Sequence, residues 1–311
     1  MVNRQPFQCP SNRAALPRIA VIGDIMVDVD LDCSCQRLCQ EGPWPVFRIE
    51  STRRRMGGAG NVAEMVSALG ATSILLGLVG RDDCARLPAS GASLGWQPAE
   101  GMTTTKFRVW VNGTLTGPRV DHDLAAKLRP ADVDHFLQVL RNFAADAVII
   151  ADHGKGVITA DLMRALQELR VAVFVDPLPR TPIPFRVTAI AGGTHELGLD
   201  GRNAECVIEK LGPQGVRWKS SEHAGEMPSA CRVLVDPLGA GDQFIAVLAF
   251  EWCQGRHWPD AIRLANIAAG MQCERRGCAP VTLSDLQGFA NTESSSFSED
   301  LYSSTSTSAR G

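Results

Sequence analysis

A turn of small residues, Leu238-Gly239-Ala240-Gly241, delivers Asp242 to the mouth of the apolar run Gln243-Phe244-Ile245-Ala246-Val247-Leu248-Ala249-Phe250-Glu251-Trp252. That run has almost no polar face and reads as a buried helix. Amides in the first turn of a helix have no partner inside it and the helix dipole is positive there, so the turn can hold a phosphoryl group at close range. A carboxylate beside such an anion is badly placed to bind it and well placed to take a proton from a hydroxyl that attacks it. The same residues also fit a plain helix start with Asp242 as its cap. Two more carboxylates, Asp24 and Asp28, follow the strand-like Arg18-Ile19-Ala20-Val21-Ile22-Gly23, where they could grip hydroxyl groups. A second glycine-rich stretch, Gly57-Gly58-Ala59-Gly60-Asn61-Val62-Ala63, opens a helix expected to run to Leu69.

Positioning these residues takes an alternation of strands and helices. Strand-like runs at Arg18–Gly23, Ser73–Val79, Ala147–Ala151, Val171–Val175, Val187–Ala191, Cys206–Glu209 and Cys231–Val235 alternate with helix-like ones. The latter are Asn61–Leu69, Ala131–Phe143, Thr159–Leu169, Asp242–Gln254 and Pro259–Cys273. The pattern predicts an α/β fold, a doubly wound and mostly parallel sheet flanked by helices. Two segments, near 27–50 and 104–121, break the alternation and read as β-rich insertions. The expected layout is an N-terminal extension over 1–17, one catalytic domain over 18–290 and a Ser/Thr-rich disordered tail over 291–311, which has too few apolar residues to offset the entropy of ordering.

Composition narrows the partners. With 311 residues, 45% of them hydrophobic, the chain can bury a large single core. A formal net charge of -3 argues against an electrostatic nucleic-acid binder, and the triple Arg53-Arg54-Arg55 reads as a solvated face. No apolar run is long enough to span a bilayer and the first residues lack a signal-like core, so a cytoplasmic protein with a small-molecule partner is expected. The ten cysteines show no paired Cys-x-x-Cys units; Cys33, Cys35 and Cys39 form one cluster, expected to be ordinary reduced thiols.

Taken in order, Gly23-Asp24-Ile25-Met26-Val27-Asp28, then Gly57-Gly58-Ala59-Gly60-Asn61-Val62-Ala63, then Gly239-Ala240-Gly241-Asp242 resemble the ribokinase-like (PfkB-type) carbohydrate kinases. Within that family, Arg37-Leu38-Cys39-Gln40-Glu41-Gly42-Pro43-Trp44-Pro45-Val46 is similar to the Arg-x-Ser-Pro-Glu-x-Pro-x-Pro-Val segment of heptose 7-phosphate kinases, the kinase half of bifunctional ADP-heptose synthases. Asp152-His153-Gly154-Lys155-Gly156 is similar to their Asp-Tyr-x-Lys-Gly, and Asp176-Pro177 to their Asp-Pro-Lys. The resemblance covers 18–286. It implies transfer of the γ-phosphoryl group of ATP, with Mg2+, to a hydroxyl of a sugar or sugar phosphate, first the anomeric hydroxyl of a heptose 7-phosphate. It also implies that the β insertions form a small lid over the sugar, a piece that often makes a homodimer contact.

Residue by residue, the resemblance makes Asp242 the catalytic base and Gly239, Ala240 and Gly241 the anion hole. It places Asp28 and Asn61 on sugar hydroxyls, with Asp24, Gly57 and Gly58 shaping the same pocket, and Arg119 and Asp121 where the lid meets the sugar. Lys155, with Arg37 or Arg119, is implied to meet a phosphate already on the substrate, since a cation there favours a phosphosugar. Glu196 is implied near Mg2+ and the phosphates, and Lys210, Gly212, Gly215 and Asn266 near the nucleotide. Asp236 falls where many of these kinases bind a monovalent cation, but Pro237-Leu238 replaces the usual polar neighbours and does not favour that cation.

The departures lie on the nucleotide side. Asn-x-x-Glu becomes Gly193-Thr194-His195-Glu196, Asp-Pro-Lys becomes Asp176-Pro177-Leu178, and the Thr before the Gly-x-x-Gly turn becomes Lys210. The stretches from Glu196 to Lys210 and from Asp83 to Thr105 are shorter than in those kinases. Two readings follow: a kinase with a simplified nucleotide side, supported by the intact Gly-Ala-Gly-Asp, and a catalytically impaired sugar-phosphate-binding protein of the same fold. The pattern Gly58-x-Gly60-x-x-Ala63 also fits a dinucleotide fingerprint, yet Ser51-Thr52-Arg53-Arg54-Arg55 precedes it rather than an apolar strand. No Walker-type loop occurs, and no His-x-x-Gly-His motif, so adenylyl transfer is expected from another protein.

Overall fold

The structure, a computed structural model, describes residues 16–82, 91–116, 119–123, 127–197 and 203–289. The tail expected over 291–311, nearly all of the extension expected over 1–17, and part of the shortened stretch after Asp83 lie outside the described residues. The chain opens with β1 (Arg18–Gly23), β2 (Ile25–Leu38), β3 (Pro45–Gly58), α1 (Ala59–Ala68), β4 (Thr72–Leu76), β5 (Leu78–Gly80), β6 (Ser93–Leu94) and β7 (Gln97–Ala99). It continues through β8 (Thr105–Val111), β9 (Thr114–Leu115), β10 (Val120–His122), α2 (Pro130–Phe143), β11 (Ala147–Ala151), α3 (Ala160–Gln167), β12 (Ala172–Asp176) and β13 (Val187–Gly193). The last part is α4 (Thr194–Leu197), β14 (Ala204–Lys210), β15 (Val216–Ser220), β16 (Ala224–Met227), α5 (Ala240–Cys253) and α6 (Trp258–Cys273).

Nine strands form the central sheet in the order β16-β15-β14-β13-β12-β11-β1-β4-β6. Pairings from β14 to β6 are parallel, and β15 and β16 close one edge as an antiparallel meander. Burial explains why the interior strands are apolar throughout: Ile19–Gly23 and all of β11 are covered on both faces. Val62, Met65, Phe244, Leu248 and Ile262 of α1, α5 and α6 cover one face, and Phe136, Leu140, Leu162 and Met163 of α2 and α3 cover the other. From β1 the chain builds the sheet first toward β4 and later toward β11, so strand order reverses between β1 and β11. In open α/β sheets the crevice at such a switch point is where ligands bind. Among the described residues no helix is long and apolar enough to cross a membrane.

The two β insertions meet in one lid. β2 and β3 form a long antiparallel hairpin, β8 adds in parallel to β2, and β9 and β10 pair with β8. β2 continues from β1 after a single residue, Asp24, and β3 runs directly into α1, so the lid grows out of the switch point. Ser51–Arg55, which do not form an apolar strand, lie in the lid strand β3, where Arg53 and Arg54 are exposed as a solvated face, whereas Arg55 departs from that expectation and turns inward onto Asp28 and Asp30.

Three expectations change. Cys231–Val235 is not a strand: the amides of Val235 and Asp236 donate to the carbonyl of Cys273 at the end of α6 (2.9 and 3.0 Å), and Val233, Leu234 and Val235 are exposed. Its β-branched residues lose to tertiary context, because these backbone donors are taken by a helix end rather than by a neighbouring strand. Ser73–Val79 is split at Gly77, where a Cβ would stand 2.4 Å from the Gly23 carbonyl oxygen, and the second half pairs with β7 in a separate sheet. β15 and β16 went unread, although Val216, Arg217, Trp218 and Lys219 alternate buried and exposed with the period of a strand.

Candidate functional site

The site begins where β1 ends. Asp24 is buried, and its carboxylate accepts the amides of His153 (2.9 Å), Lys155 (3.1 Å) and Val157 (3.1 Å) in the loop after β11. Its task is to tie the two sides of the switch point together. Its buried carboxylate is thus occupied by backbone amides, against the expectation that it grips hydroxyl groups. Gly58 caps α1 at φ 55°, and a Cβ there would meet the Asp24 carbonyl oxygen at 2.4 Å. This brings Asn61, in the first turn of α1, under the end of α5.

At α5 the cap is Gly239, in the left-handed region at φ 77° and with no side-chain cap bond. Asp242 sits in the first turn, so the plain capping reading fails. Its Oδ2 accepts from Asn61 Nδ2 at 2.6 Å. Burial raises the Asp242 carboxyl above the ordinary aspartate range, and Asp176 adds to this, while His153, the Asn61 bond and Lys210 pull it back. Of the three anion-hole residues, Ala240 already donates its amide to the Pro237 carbonyl at 3.3 Å, while the amides of Gly239 and Gly241, with that of Asp242, have no backbone partner among the described residues.

Lys210 closes the nucleotide side. It ends β14, pairs with Asp176 Oδ1 at 2.7 Å, and its ammonium lies 3.2 Å from where a Cβ on Gly241 would be. Burial pushes its pKa down, but Asp176, Glu196 and Asp242 more than reverse this and hold it above the usual lysine range. Glu196, in the short helix α4, accepts the Gly193 amide with Oε2 at 2.6 Å. Gly212 and Gly215 form the turn between β14 and β15, both at positive φ. Asn266 Nδ2 donates to the Pro228 carbonyl at 2.7 Å and so braces the segment that leads to α5. Among the described residues no cluster of three His, Cys, Asp or Glu is arranged as a metal cage. A lysine with Asp176 and Glu196 around it suits Mg2+ that arrives on phosphates, since that ion needs only one or two protein carboxylates.

The lid supplies the opposite wall. Asp28, Asp30 and Asp32 alternate along one face of β2, with Lys106, Arg108 and Trp110 beside them on β8 and Arg55 on β3. Asp28 and Arg108 form a buried ion pair at 2.7 Å, Arg55 pairs with Asp30, and the Trp110 indole donates to Asp30 at 2.9 Å. Gly57 lies against the Asp28 carboxylate. Burial lowers the pKa of Lys106, with Asp28 opposing and Arg119 and Arg108 assisting.

Four buried atoms around this pocket, Arg55 Nε, Arg55 Nη2, Asn61 Oδ1 and His153 Nε2, find no hydrogen-bond partner among the described residues, so the site is built for groups it does not itself contain. Arg119, just before the lid's edge strand β10, and Asp121 within it bond to each other at 2.8 Å, and Lys155 pairs with Asp123 at 2.7 Å. Arg37 is exposed near the hairpin tip. Arg55, Lys106, Arg108 and His153 escaped the sequence reading. Lys106-x-Arg108, two cations on one face of a strand, was the available signal, whereas nothing local sets Arg55 apart from Arg53 and Arg54.

Comparisons with known proteins bear on the family and the fold. Residues 194–285 match the pfkB family carbohydrate kinase description. The bifunctional protein HldE of Granulibacter bethesdensis is 28% identical over 314 residues, covering 87% of this chain, and that of Azorhizobium caulinodans is 32% identical over 307 residues, covering 88%. The chain spans 64% of the length of each. The fold is similar to a ribokinase from Thermotoga maritima, with a TM-score of 0.70 at 18% identity, covering 89% of this chain and 100% of that one.

Proposed function

We propose, from the match of residues 194–285 to the pfkB family carbohydrate kinases and the likeness to HldE proteins, that the chain transfers the γ-phosphoryl group of ATP to a hydroxyl of a sugar phosphate, first the anomeric hydroxyl of a heptose 7-phosphate. The observation that carries this is Asp242: a buried carboxylate with a raised pKa, bonded to Asn61, in the first turn of a helix whose cap is another residue. An acceptor hydroxyl beside Asn61 Oδ1 gives its proton to Asp242 as its oxygen attacks the γ-phosphorus. The amides of Gly241 and Asp242 hold the charge that gathers on the transferring group. Lys210 neutralises the phosphate oxygens from the other side. Mg2+, when bound with the nucleotide near Asp176 and Glu196, supplies further charge neutralisation.

The lid supports a phosphorylated acceptor. Lys106, Arg108 and Arg55 stand among Asp28, Asp30 and Asp32 on its inner face, and the Arg55 Nε and Nη2 atoms, which lack a hydrogen-bond partner, are donors suited to an anion. The test is ADP release across free sugars and sugar phosphates, with heptose 7-phosphate among them. The highest kcat/KM is expected for the heptose 7-phosphate. Equal turnover of the unphosphorylated sugar would remove the phosphate reading, and no ADP release with any acceptor would remove the kinase reading. Exposed Leu38, Trp44, Ile49, Leu115 and Val120 support pairing of two lids in a homodimer, which a monomer mass by light scattering would refute.

A further inference from the structure

A lid over a substrate has to be held and then released, and one core residue bridges to it from outside the pocket. Arg276 follows α6, and its guanidinium carbon stacks 4.1 Å above the ring centroid of Trp110 on β8. Its Nη2 also donates to Asp32 Oδ1 on β2 at 3.2 Å. Both partners are lid residues held by others: the Trp110 indole is bonded to Asp30, and Asp32 is shared with Arg53 at 3.1 Å.

On the core side Arg276 stands on a braced loop. The Gly277 amide donates to Asp236 Oδ2 at 2.9 Å, and Gln272 Nε2 donates to the Gly277 carbonyl at 2.6 Å. The same two side chains secure the start of the α5 turn, because Asp236 Oδ1 accepts the Leu238 amide at 3.0 Å and Gln272 Nε2 reaches the Leu238 carbonyl at 3.3 Å. The loop that grips the lid is thus the loop that holds the turn carrying Gly239 and Asp242.

We propose that Arg276 is the lid latch, a positioning residue that sets the lid strands against the base-bearing turn. The latch is weak by construction. Arg276 and Asp32 side chains are 38% and 30% exposed, so their ion pair and the stacking on Trp110 together favour the closed lid by about tenfold. A bias of that size holds an empty lid near its closed position and still lets product leave.

The test uses Arg276→Gln and Arg276→Lys in the full chain. Hydrogen exchange of the ligand-free protein is expected to be several-fold faster in the lid strands over 25–58 and 105–111 of Arg276→Gln, with exchange in β1, β11 and β12 unchanged. Arg276→Lys, which keeps the charge for Asp32 and loses the planar stack, should fall between. The kinetic arm rests on the kinase reading: KM for the sugar phosphate should rise about twofold, since loss of the bias lowers the closed fraction from about nine-tenths to about half and weakens apparent affinity in proportion, while kcat and KM for ATP do not move. Lid exchange equal to that of the parent overturns the latch whatever the activity, as does a kcat loss at constant sugar KM. Faster lid exchange in a protein that turns over no acceptor would support the latch and remove the kinase reading.

Discussion

Replacing Asp242 by Asn removes a charge and a base while keeping the shape of the side chain. In the structure the N-cap of α5 is Gly239 and not Asp242, so the substitution removes no cap. Two effects on stability oppose each other. The Asn61 bond at 2.6 Å loses its charge assistance, on the order of 1.5–3 kcal/mol for a hydrogen bond to a charged group. Against this, a carboxylate whose pKa burial has raised no longer has to be held charged in the interior. The net change should be about 1 kcal/mol or less, a shift of about 2–4 °C in Tm. Turnover should fall far more: loss of a general base costs about a hundred- to ten-thousandfold, or about 3–5.5 kcal/mol of barrier. Affinity for ATP and sugar should change little, because the proton is taken only in the transition state. The raised pKa adds a signature, since the acid limb of kcat should lie above the ordinary aspartate range in the parent. ADP release against pH, with calorimetric titration of both ligands and a thermal melt, reads all of these. Turnover within a few-fold of the parent at unchanged Tm would refute the assignment of Asp242 as the base.

Asp28→Ala leaves Arg108 buried without its partner, so stability should fall by about 3–5 kcal/mol, seen as a lowered Tm. Sugar affinity should weaken about ten- to a hundredfold with ATP affinity unchanged, and the double variant Asp28→Asn with Arg108→Gln should recover Tm without recovering sugar binding; recovery of both would mean that the pair only supports the lid. Burial pushes Glu64 on α1 up to about 7, above its unfolded value of about 4.3. A raised folded pKa means that stability is fully present below the unfolded value and is lost as pH rises through about 7. Glu64→Gln should therefore stabilise at pH 8, by about 1–2 kcal/mol once partial exposure is discounted, and hardly at all at pH 5, as paired melts would show. An equal gain at both pH values would assign the effect to packing rather than charge.

The chemistry-bearing turn and the layered fold were legible because both rest on local pattern. Gly-Ala-Gly-Asp before an apolar run specifies amides, a carboxylate and a buried helix in one stretch of chain, and the core strands declare themselves by continuous apolar runs that a twice-covered sheet requires. Sheet order decided the rest. Asp24 looked like a ligand for hydroxyls, but the junction of β1 and β11 surrounds its carboxylate with three amides 129 to 133 residues away. Asn266, implied near the nucleotide, gives its amide to the Pro228 carbonyl, a partner the local sequence does not announce. Arg55 is one of three consecutive arginines in the sequence, yet strand pleating turns it toward Asp28 and Asp30, where burial gives its charge a task. Arg276 carries no sequence signal at all, and only the closure of the lid onto the end of α6 brings Trp110 under its guanidinium. A residue's type and immediate neighbours set what its side chain can do, whereas its partners come from distant chain segments, whose approach is governed by burial across the whole sheet.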